Sequence, residues 1–569
     1  MIKEKYELWC KKAVADPDLI AELKAMEGND ELISDAFYKD LEFGTGGLRG
    51  VIGAGTNRLN IYTVGKATQG LAAYVNSVTD NGSVAIAYDS RIKSDKFAKI
   101  SACILAANGI KVYIYKELMP TPMLSFAVRH FGCDAGIVIT ASHNPAKYNG
   151  YKAYGADGCQ LGLEAAEYVL SIMNKVDIFE DVKTVDFETA LNEGKINYIT
   201  EDDINKYLDL VETTRVTKNL DLSDLKVVYT PLHGSGNKPV RAILDRIGVK
   251  NVFVVPEQEK PDGNFPTAPY PNPEIRQAFE CALKLAKKVN PDLLLATDPD
   301  SDRVGIAIPN GGEYQLMTGN DVGALLLNYI LESGTANGTL PKNPVAVSTI
   351  VSSRLCTKIA AKYGCEYRDV LTGFKFIGEQ IGLLEEANQT ERFVFGFEES
   401  YGYLSGSFVR DKDAVIASML ICEMTAYYKS KGKNLIEVLD GLYKEHGCFL
   451  CSQKSFTFEG QSGLAHIGTL MESLRSNPPK DANGVSVIGI KDYKTSKAYN
   501  FESNTETEIT LPKSNVITFE LEDGCSFIAR PSGTEPKIKF YLNAVGKDLD
   551  TAKDKLAMLE TVCTDIANS

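Results

Sequence analysis

Residues 84–115 read VAIAYDSRIKSDKFAKISACILAANGIKVYIY, and this stretch decides the fold. Residues 84–88 form a short run of small and branched apolar side chains, as in a buried strand. Residues 96–108 then carry apolar side chains at helical spacing, and Asn108-Gly109 ends the predicted helix. Residues 111–115 are the next strand. A strand, a helix and a strand in this order predict a parallel pair joined by a crossover helix.

The same alternation repeats along a chain of 569 residues, which is too long for one hydrophobic core. Further strands are predicted at 136–140, 227–229, 252–255, 293–295, 345–350 and 393–395, with helices between them. Residues 516–543 instead carry closely spaced strands, and a helix follows from about residue 549. The prediction is an α/β protein with three similar α/β domains, each a mixed sheet flanked by helices, and a smaller C-terminal α+β domain. The predicted domains are 1–204, 205–322, 323–446 and 447–569.

Composition excludes several classes of protein. The net charge of −14 argues against nucleic acid or an anionic membrane as a partner. No apolar stretch approaches the length of a membrane span, and the first residues, MIKEKYELWCKK, lack a signal-peptide core. The twelve cysteines have no framework spacing, and Cys448 and Cys451 have redox or zinc spacing without a second pair, which favours a structural role. We expect a cytoplasmic protein with reduced thiols.

A serine ends the predicted strand at 136–140. Ser142 lies just before Asn144-Pro145, which force a turn, so its hydroxyl is expected at the carboxyl edge of the sheet, where α/β proteins bind ligands. A nucleophilic serine also needs a proton acceptor, and Lys152 and His143 are the local candidates. The segment alone fits equally well a serine that only caps the turn.

Three aspartates follow the strand predicted at 293–295. Asp298, Asp300 and Asp302 alternate along the chain and would repel one another unless a cation lay between them. Ligation by oxygen alone indicates a hard ion, Mg²⁺ in particular. The stretch is not an EF-hand, because Arg303 stands where that motif requires glycine and Pro309 where it requires the closing Glu. The alternative is a solvated acidic turn.

Three other loops carry groups suited to a phosphorylated sugar. Glycines bring backbone N–H groups close to an anion, an arginine binds phosphate with two N–H groups, and carboxylates and hydroxyls hydrogen-bond a polyol. The loops are residues 43–50 with Arg49, residues 396–402 with Glu398 and Ser400, and residues 530–537 with Arg530, Ser532, Gly533 and Thr534. Each loop alone is also compatible with an ordinary polar turn.

Taken in their order along the chain, the five loops resemble those of the α-D-phosphohexomutase superfamily. The motifs that match are Thr-Ala-Ser-His-Asn-Pro, Asp-x-Asp-x-Asp-Arg, Glu-Glu-Ser and Arg-Pro-Ser-Gly-Thr, and the likeness spans residues 40 to 545. Stretches 41–50, 229–236, 371–375 and 410–413 are similar to the branch that contains phosphoglucomutases and phosphopentomutases. Phe397 departs from the pattern, because many relatives have Gly before the first Glu of the sugar loop.

The resemblance implies a role for each matching residue. Ser142 would carry the transferable phosphoryl group, Lys152 would be the general acid/base and His143 would flank the same site. Asp298, Asp300 and Asp302, with an oxygen on Ser142, would hold Mg²⁺. The substrate-binding positions implied are Arg49 and Arg303 near the metal, Thr372, Lys375, Glu398, Ser400 and Lys412 at the sugar, and Arg530, Ser532, Gly533 and Thr534 at the distal phosphate.

The resemblance also implies a reaction, the interconversion of glucose 1-phosphate and glucose 6-phosphate through a phosphoserine and glucose 1,6-bisphosphate. Mg²⁺ would be the cofactor, and the bisphosphate would be activator and intermediate. The alternatives are a phosphopentomutase, a phosphomannomutase or a glucose 1,6-bisphosphate synthase. A binding protein without catalysis is less favoured, because Ser142 and all three aspartates are present. A metal-dependent phosphatase is also less favoured, because it would need room for an attacking water and would have no use for two separate phosphate-binding loops. The only partner implied is a small sugar phosphate, and the sequence carries no signal for an oligomeric state.

Overall fold

The computed structural model describes residues 2–44, 46–458, 460–532 and 536–568. The chain forms two compact units. Unit 1 consists of Met1–Met317, Ile377–Phe393 and Tyr401–Tyr427, and unit 2 of Thr318–Phe376, Val394–Ser400 and Tyr428–Ser569. The predicted fold class is confirmed, because helix-flanked mixed sheets precede a C-terminal antiparallel sheet.

Unit 1 begins with three helices that the sequence reading did not separate from the first α/β domain. They are α1 Ile2–Lys12, α2 Pro17–Ala25 and α3 Asp30–Phe37. Asp16 caps α2 just before a proline at the first helical position, and Asn29 caps α3. Trp9 of α1 is 2% exposed and meets Phe37 edge to face. The helices share a small hydrophobic cluster, which also packs against Tyr62 and Phe179 of the α/β domain.

The first sheet positions the serine loop. Its strands have the order β1-β5-β4-β2-β3-β6. Residues 140–147 connect β4 to β5, which runs back antiparallel and places Lys152 opposite Val138. The elements here are β1 Gly47–Val51, α4 Ile61–Val78, β2 Ser83–Tyr88, α5 Ser94–Ala107, β3 Lys111–Tyr115, α6 Thr121–Phe131, β4 Ala135–Ile139, β5 Tyr148–Gly155, α7 Leu163–Met173, α8 Phe187–Asn192, β6 Ile196–Ile199 and α9 Glu201–Thr213.

The second sheet positions the aspartates. Its order is β11-β10-β9-β7-β8, and β9 is parallel to β7 but antiparallel to β10. Residues 298–303 connect β9 to β10. The elements are β7 Lys226–Thr230, α10 Asn237–Arg246, β8 Asn251–Val254, α11 Pro256–Glu259, a 3₁₀ helix at Arg276–Phe279, α12 Glu280–Val289, β9 Leu293–Thr297, β10 Val304–Asn310 and β11 Glu313–Leu316.

The third set of elements is divided between the units along the chain. In unit 2, strands lie in the order β13-β12-β14, with β12 parallel to β13. Strand β15 and most of α16 belong to unit 1. The elements are α13 Gly319–Asn337, β12 Val345–Thr349, α14 Leu355–Lys362, β13 Glu366–Val370, α15 Phe374–Glu386, a 3₁₀ helix at Thr390–Arg392, β14 Phe393–Glu398, β15 Gly402–Leu404, α16 Ala414–Ser430 and α17 Leu435–His446.

The C-terminal part of unit 2 is an antiparallel sheet in the order β16-β23-β22-β21-β18-β19-β20, with β17 paired to β18. Its buried core includes Phe519, Phe527 and Phe540 together with residues of α19. The elements are β16 Cys448–Thr457, α18 Gly460–Ser476, β17 Asp481–Ala482, β18 Val485–Asp492, β19 Lys497–Asn500, β20 Thr505–Glu508, β21 Ile517–Leu521, β22 Ser526–Pro531, β23 Lys537–Gly546 and α19 Leu549–Asn568.

The cysteines are all in the described part of the chain, and all twelve are free thiols. Nine are buried and only Cys10, on α1, is exposed. Cys448 and Cys451 lie on β16, where the Cys451 thiol donates to Asn543 Oδ1 at 3.0 Å. Within the described residues, no helix is long and apolar enough to cross a bilayer.

Candidate active site

Ser142 lies at the carboxyl end of β4 and is 4% exposed. Its φ of 50° is left-handed, a conformation that costs a non-glycine residue about 1 kcal/mol. Its N–H donates to Thr140 Oγ1 at 2.7 Å, and its Oγ donates to Asp298 Oδ2 at 2.6 Å. His143 Nδ1 lies 3.1 Å from the same Oγ. The hydroxyl therefore faces both an imidazole and a carboxylate that lies 156 residues away in sequence.

The three aspartates converge in the loop after β9. Asp298 and Asp300 are fully buried and Asp302 is 2% exposed. One carboxylate oxygen of each lies within 4.8 Å of those of the other two. The loop is shaped by Asp298 Oδ1, which accepts N–H groups from Asp302 at 3.1 Å and Arg303 at 3.0 Å. A residue that the sequence reading did not identify, Thr121 at the start of α6, donates its hydroxyl to Asp300 Oδ2 at 2.9 Å.

The donor set fits a hard divalent cation. Three buried carboxylates supply only oxygen ligands, as Mg²⁺ prefers. In the part of the chain that the structure describes, the buried Asp300 Oδ1 and Asp302 Oδ1 accept no hydrogen bond, although a buried anionic oxygen needs a partner. Burial, followed by the charges of Asp300 and Asp302, raises the pKa of Asp298 well above its ordinary value. A cation bound between the three aspartates would favour the ionised form of all three carboxyl groups.

Two lysines reach the same carboxylates. Lys152 Nζ on β5 lies 3.0 Å from Asp300 Oδ2 and 3.8 Å from Asp302 Oδ2. Lys412 Nζ lies 3.1 Å from Asp302 Oδ2, although the sequence reading had placed this residue only at the sugar. Burial lowers the pKa of Lys152, but Asp300 and Asp302 more than offset it, so the net shift is upward. Lys152 is thus a protonated group beside Asp300 and a candidate proton donor.

Two arginines add positive charge around His143. Burial, then the charges of Arg303 and Arg49, lowers the pKa of His143 well below its ordinary value, so its imidazole is neutral at pH 7. Arg303 Nη1 donates to Glu274 Oε1 at 2.8 Å. Arg49 is exposed on β1, opposite Gly150 of β5. Positive charge close to a serine hydroxyl suits a phosphorylated group.

All of the predicted sugar-binding residues except Lys412 belong to unit 2. Glu398 ends β14, is 8% exposed, and its Oε1 accepts the N–H of Gly373 at 2.8 Å. That hydrogen bond places the carboxylate beside the loop of Thr372, which connects β13 to α15. Ser400 and Lys375 are half-buried, and Lys375 Nζ lies 5.2 Å from the ring centre of Phe376.

Phe397, which departs from the family pattern, belongs to the core of unit 2. It is 1% exposed and stacks on Phe395 with ring centres 5.7 Å apart. A Cβ at position 323 on α13 would lie 2.4 Å from its ring, so Gly323 makes room for it. The side chain is therefore directed away from the loop that carries Glu398.

The sequence reading placed Glu399 in the sugar loop but gave it no role of its own. Its Oε2 accepts the hydroxyl of Thr349 at 3.0 Å. Burial, followed by the charge of Glu398, raises its pKa to about 7. Glu399 can therefore change charge near neutral pH within the predicted sugar loop.

The predicted phosphate loop follows β22. Arg530 is half-buried and its Nη1 donates to Tyr541 Oη at 3.3 Å. The N–H of Ser532 donates to the carbonyl of Lys537, the first residue of β23, at 2.7 Å. Gly533 and Thr534 lie outside the described residues. Arg530 and Ser532 are thus at one strand end, as predicted.

Comparison with known proteins decides the family. Models of the phosphoglucomutase/phosphomannomutase α/β/α domains I, II and III match residues 40–178, 205–311 and 318–446 in that order. The phosphoglucomutase of Staphylococcus haemolyticus is 41% identical over 513 residues, which are 89% of this chain and 91% of the relative. The chain belongs to the phosphoglucomutase/phosphomannomutase family. The resemblance to α-D-phosphohexomutases is confirmed, and the protein is an enzyme of this phosphohexomutase class.

Other members of the phosphoglucomutase/phosphomannomutase family agree with this assignment. A phosphoglucomutase of Staphylococcus aureus is 39% identical over 558 residues, which are 97% of both chains. Among solved structures, the phosphoglucomutase parafusin from Paramecium, in its open form, has a TM-score of 0.68 and 18% identity. That match covers 93% of this chain and 96% of parafusin, and at this identity it supports the fold.

One arginine that holds the serine loop of this family member was not identified from the sequence. Arg91 has a fully buried side chain whose Nη1 donates to the carbonyls of Pro145 at 3.0 Å and Tyr148 at 2.9 Å. Its Nη2 donates to the carbonyls of Ser142, at 2.5 Å, and Asn144. One guanidinium therefore fixes the main chain on both sides of His143.

Asp89 is the second residue that holds the serine loop in place. Its Oδ2 accepts the hydroxyl of Thr140 at 2.6 Å, and its Oδ1 accepts the N–H of Arg91 at 2.9 Å. Because Thr140 also accepts the N–H of Ser142, a chain of hydrogen bonds runs from Asp89 to the serine. An Asp-x-Arg stretch directly after a strand could have pointed to this pair, but only the structure brings it to residues 140–148.

Proposed function

We propose that this protein is a phosphoglucomutase that interconverts α-D-glucose 1-phosphate and glucose 6-phosphate through a phosphoserine at Ser142. The observation that carries the proposal is the 2.6 Å contact of Ser142 Oγ with Asp298 inside a buried aspartate triad. A serine hydroxyl beside a divalent-cation site is the arrangement that phosphoryl transfer through a phosphoserine requires. The names of the relatives at about 40% identity support glucose as the sugar.

We propose that Asp298, Asp300 and Asp302 hold Mg²⁺ together with an oxygen on Ser142. When bound, Mg²⁺ supplies positive charge that stabilises the phosphoryl group as its charge shifts during transfer. Lys152, 3.0 Å from Asp300, would exchange a proton with the sugar hydroxyl. His143, neutral and with Nδ1 3.1 Å from Ser142 Oγ, would hydrogen-bond the oxygen at the same position.

The other predicted residues would hold the substrate. Arg49, Arg303 and Lys412 supply positive charge in unit 1 for the reacting phosphate. Glu398, Thr372, Ser400 and Lys375 would hydrogen-bond the sugar, and the loop of Arg530, Ser532, Gly533 and Thr534 would bind the distal phosphate. Glucose 1,6-bisphosphate would be both intermediate and activator, because it can phosphorylate Ser142 from either end.

The proposed partner is a small sugar phosphate, and we propose the cytoplasm as the site of action. Twelve free thiols, nine of them buried, suit a reducing compartment. The four-domain division at residues 204, 322 and 446 remains our proposal for how the chain is organised.

A substrate panel tests the function. We expect turnover of glucose 1-phosphate with Mg²⁺ and catalytic glucose 1,6-bisphosphate to exceed that of mannose 1-phosphate and ribose 1-phosphate, as followed by ³¹P NMR. Faster turnover of either competitor would assign a phosphomannomutase or phosphopentomutase. Steady release of inorganic phosphate would indicate a phosphatase, and net gain of bisphosphate from another donor would indicate a synthase.

Ser142→Ala tests the covalent route. We expect kcat to fall by at least about 10³-fold, because the phosphoryl acceptor is lost. Ser101→Ala is the matched control: Ser101 is also a buried serine with a side-chain hydrogen bond, from Thr68 at 3.1 Å between α4 and α5. Normal turnover by Ser142→Ala would contradict a phosphoserine enzyme.

A further inference from the structure

A loop after β7 lies against the backbone of the aspartate triad. This loop, residues 231–236, we call the brace loop. Ser235 donates two hydrogen bonds to one acceptor, the carbonyl of Pro299: its N–H at 2.8 Å and its Oγ at 2.9 Å. Pro299 stands between Asp298 and Asp300, so these bonds act on the peptide unit that joins two of the three candidate ligands.

Two glycines of the brace loop allow this close approach. A Cβ at position 234 would lie 2.5 Å from Pro299 Cα, and a Cβ at position 236 would lie 2.6 Å from Ser301 Oγ. Such distances are too short for a side chain, so only glycine fits at both positions. The brace loop therefore supports residues 299 and 301, which alternate with the aspartates.

The brace loop is itself held rigidly. Leu232 and His233 have left-handed φ values of 47° and 61°, which cost about 1 kcal/mol each for non-glycine residues. The His233 ring contacts Thr267 Oγ1 at 2.9 Å and the carbonyl of Lys260 at 3.2 Å. The main-chain N–H of His233 donates to the carbonyl of Gln258 at 3.0 Å. These contacts hold the loop in a conformation that it would not favour alone.

Residues 258–267, which include the hydrogen-bond partners of His233, also contact Arg91, the arginine that holds the serine loop. Phe265, fully buried, lies under the Arg91 guanidinium at 5.0 Å from its ring centre. A Cβ at Gly263 would lie 2.5 Å from the backbone nitrogen of Ile92. Residues 258–267 therefore lie between the brace loop and the residues around Arg91. The serine loop and the loop of the three aspartates thus share one support.

We propose that Ser235 is a positioning residue that, with Gly234, sets the affinity of the aspartate triad for its divalent cation. This inference rests on the proposed metal-dependent mutase and goes beyond it, because neither residue is a ligand or touches the substrate. Ser235 acts through Pro299, by fixing the distance and direction between Asp298 and Asp300. Groups that orient ligands in this way commonly change metal affinity by about 10–100-fold when removed.

The test is the binding of Mn²⁺ to Ser235→Ala. Mn²⁺ prefers the same oxygen ligands, and its free concentration can be read by electron paramagnetic resonance without any turnover. We expect Mn²⁺ to bind about 3- to 10-fold more weakly, because the N–H bond to Pro299 remains and only the Oγ bond is lost. The Mg²⁺ concentration that gives half-maximal activity should rise by the same factor, while kcat at saturating Mg²⁺ stays within about twofold of wild type.

Ser101→Ala and Gly234→Ala complete the design. Ser101→Ala removes a buried hydroxyl far from the triad, and we expect its Mn²⁺ affinity to equal that of wild type. Gly234→Ala presses directly on Pro299 Cα, and it should weaken Mn²⁺ binding more than Ser235→Ala does. If Ser235→Ala fails to fold, as judged by circular dichroism, Gly234→Ala carries the test.

The outcomes separate this inference from the proposed function. Wild type that binds Mn²⁺ and Asp298→Asn that does not would support the triad as the metal site. If Ser235→Ala and Gly234→Ala then bind Mn²⁺ as tightly as wild type, the positioning role is overturned and the mutase proposal stands. Equal weakening by Ser101→Ala would also overturn it, because the effect would then be a general loss of stability.

Discussion

The candidate phosphoryl and metal residues of unit 1 and the candidate substrate residues of unit 2 are held in different ways. In unit 1, Ser142 and the three aspartates are at most 4% exposed, and each is tied to other side chains or to the main chain. In unit 2, Glu398 is buried, whereas Thr372, Lys375, Ser400, Arg530 and Ser532 are half-buried.

This difference matches the tasks that we propose for the two groups. Transfer of a phosphoryl group depends on fixed positions of the reacting atoms, and a displacement of 1 Å can cost about 100-fold in rate. A binding surface that must accept the sugar phosphate in two orientations gains from side chains that can adjust. The comparison therefore predicts that changes at the reacting groups of unit 1, or at the residues that fix the serine loop, lower kcat, and that changes at the candidate residues of unit 2 mainly alter substrate affinity.

Among residues outside the reacting groups, the largest effect is expected from Arg91→Lys. Lysine cannot donate to four carbonyls at once, so the loop around Ser142 should lose its fixed position. We expect kcat to fall by about 100-fold with little change in KM, measured by steady-state turnover of glucose 1-phosphate.

Arg241→Lys is the control, because Arg241 is an exposed arginine paired with Glu259. It should leave turnover unchanged. If Arg91→Lys kept kcat within about threefold of wild type, the serine loop would not need its guanidinium support, and the contrast between the two units would fail.

A smaller effect is expected from Glu398→Gln. Glutamine keeps the shape and an acceptor for the N–H of Gly373 but removes the charge that would bind a sugar hydroxyl. We expect kcat/KM to fall by about 10-fold, with most of the change in KM, and Mn²⁺ affinity to stay at the wild-type value. Glu391→Gln, at an exposed position just before β14, is the control. A large fall in kcat without a change in KM would place Glu398 with the reacting groups instead.

The smallest effect, on stability, is expected from Glu399→Gln. The pKa of Glu399 in the folded protein is about 7, against an ordinary value of 4.5. Between these pH values the folded protein holds a proton that the unfolded chain releases, so the stability contributed by this group is lost as pH rises from about 4.5 to about 7. The Glu399→Gln variant does not lose this stability as the pH rises, because its side chain carries no titratable group. Its Tm should therefore exceed that of wild type by about 2–4 °C at pH 8 and equal it near pH 4.5.

Equal Tm differences at both pH values would mean that Glu399 does not titrate in the predicted sugar loop. Thermal unfolding by differential scanning fluorimetry measures both conditions on the same preparation. The hydroxyl of Thr349 can still donate to the glutamine carbonyl, so the substitution isolates the charge.

The sequence predicted the regular elements well because their signals are local. The strand at 111–115 and the helix from residue 549 coincide with β3 and with the start of α19. The helix predicted at 96–108 begins two residues earlier, at Ser94, whose hydroxyl donates to Asp89. The strand predicted to end at Thr140 ends one residue earlier, at Ile139, and the Thr140 hydroxyl donates to Asp89.

The motif residues could also be chosen from sequence, but their supports could not. Ser142 and the aspartates stand in short, regular patterns. By contrast, Thr121 is 179 residues from Asp300, and Ser235 is 64 residues from Pro299. Contacts over such separations depend on how the sheets pack, so nothing in the local pattern of either partner indicates them.

The placement of the cysteines gives the chain a built-in reporter. In the native protein a maleimide dye can reach Cys10 readily, whereas nine thiols become reactive only when the chain around them opens. Counting modified thiols by mass spectrometry therefore follows local and global opening without any introduced label, and the position of each modified cysteine identifies the region that opened first.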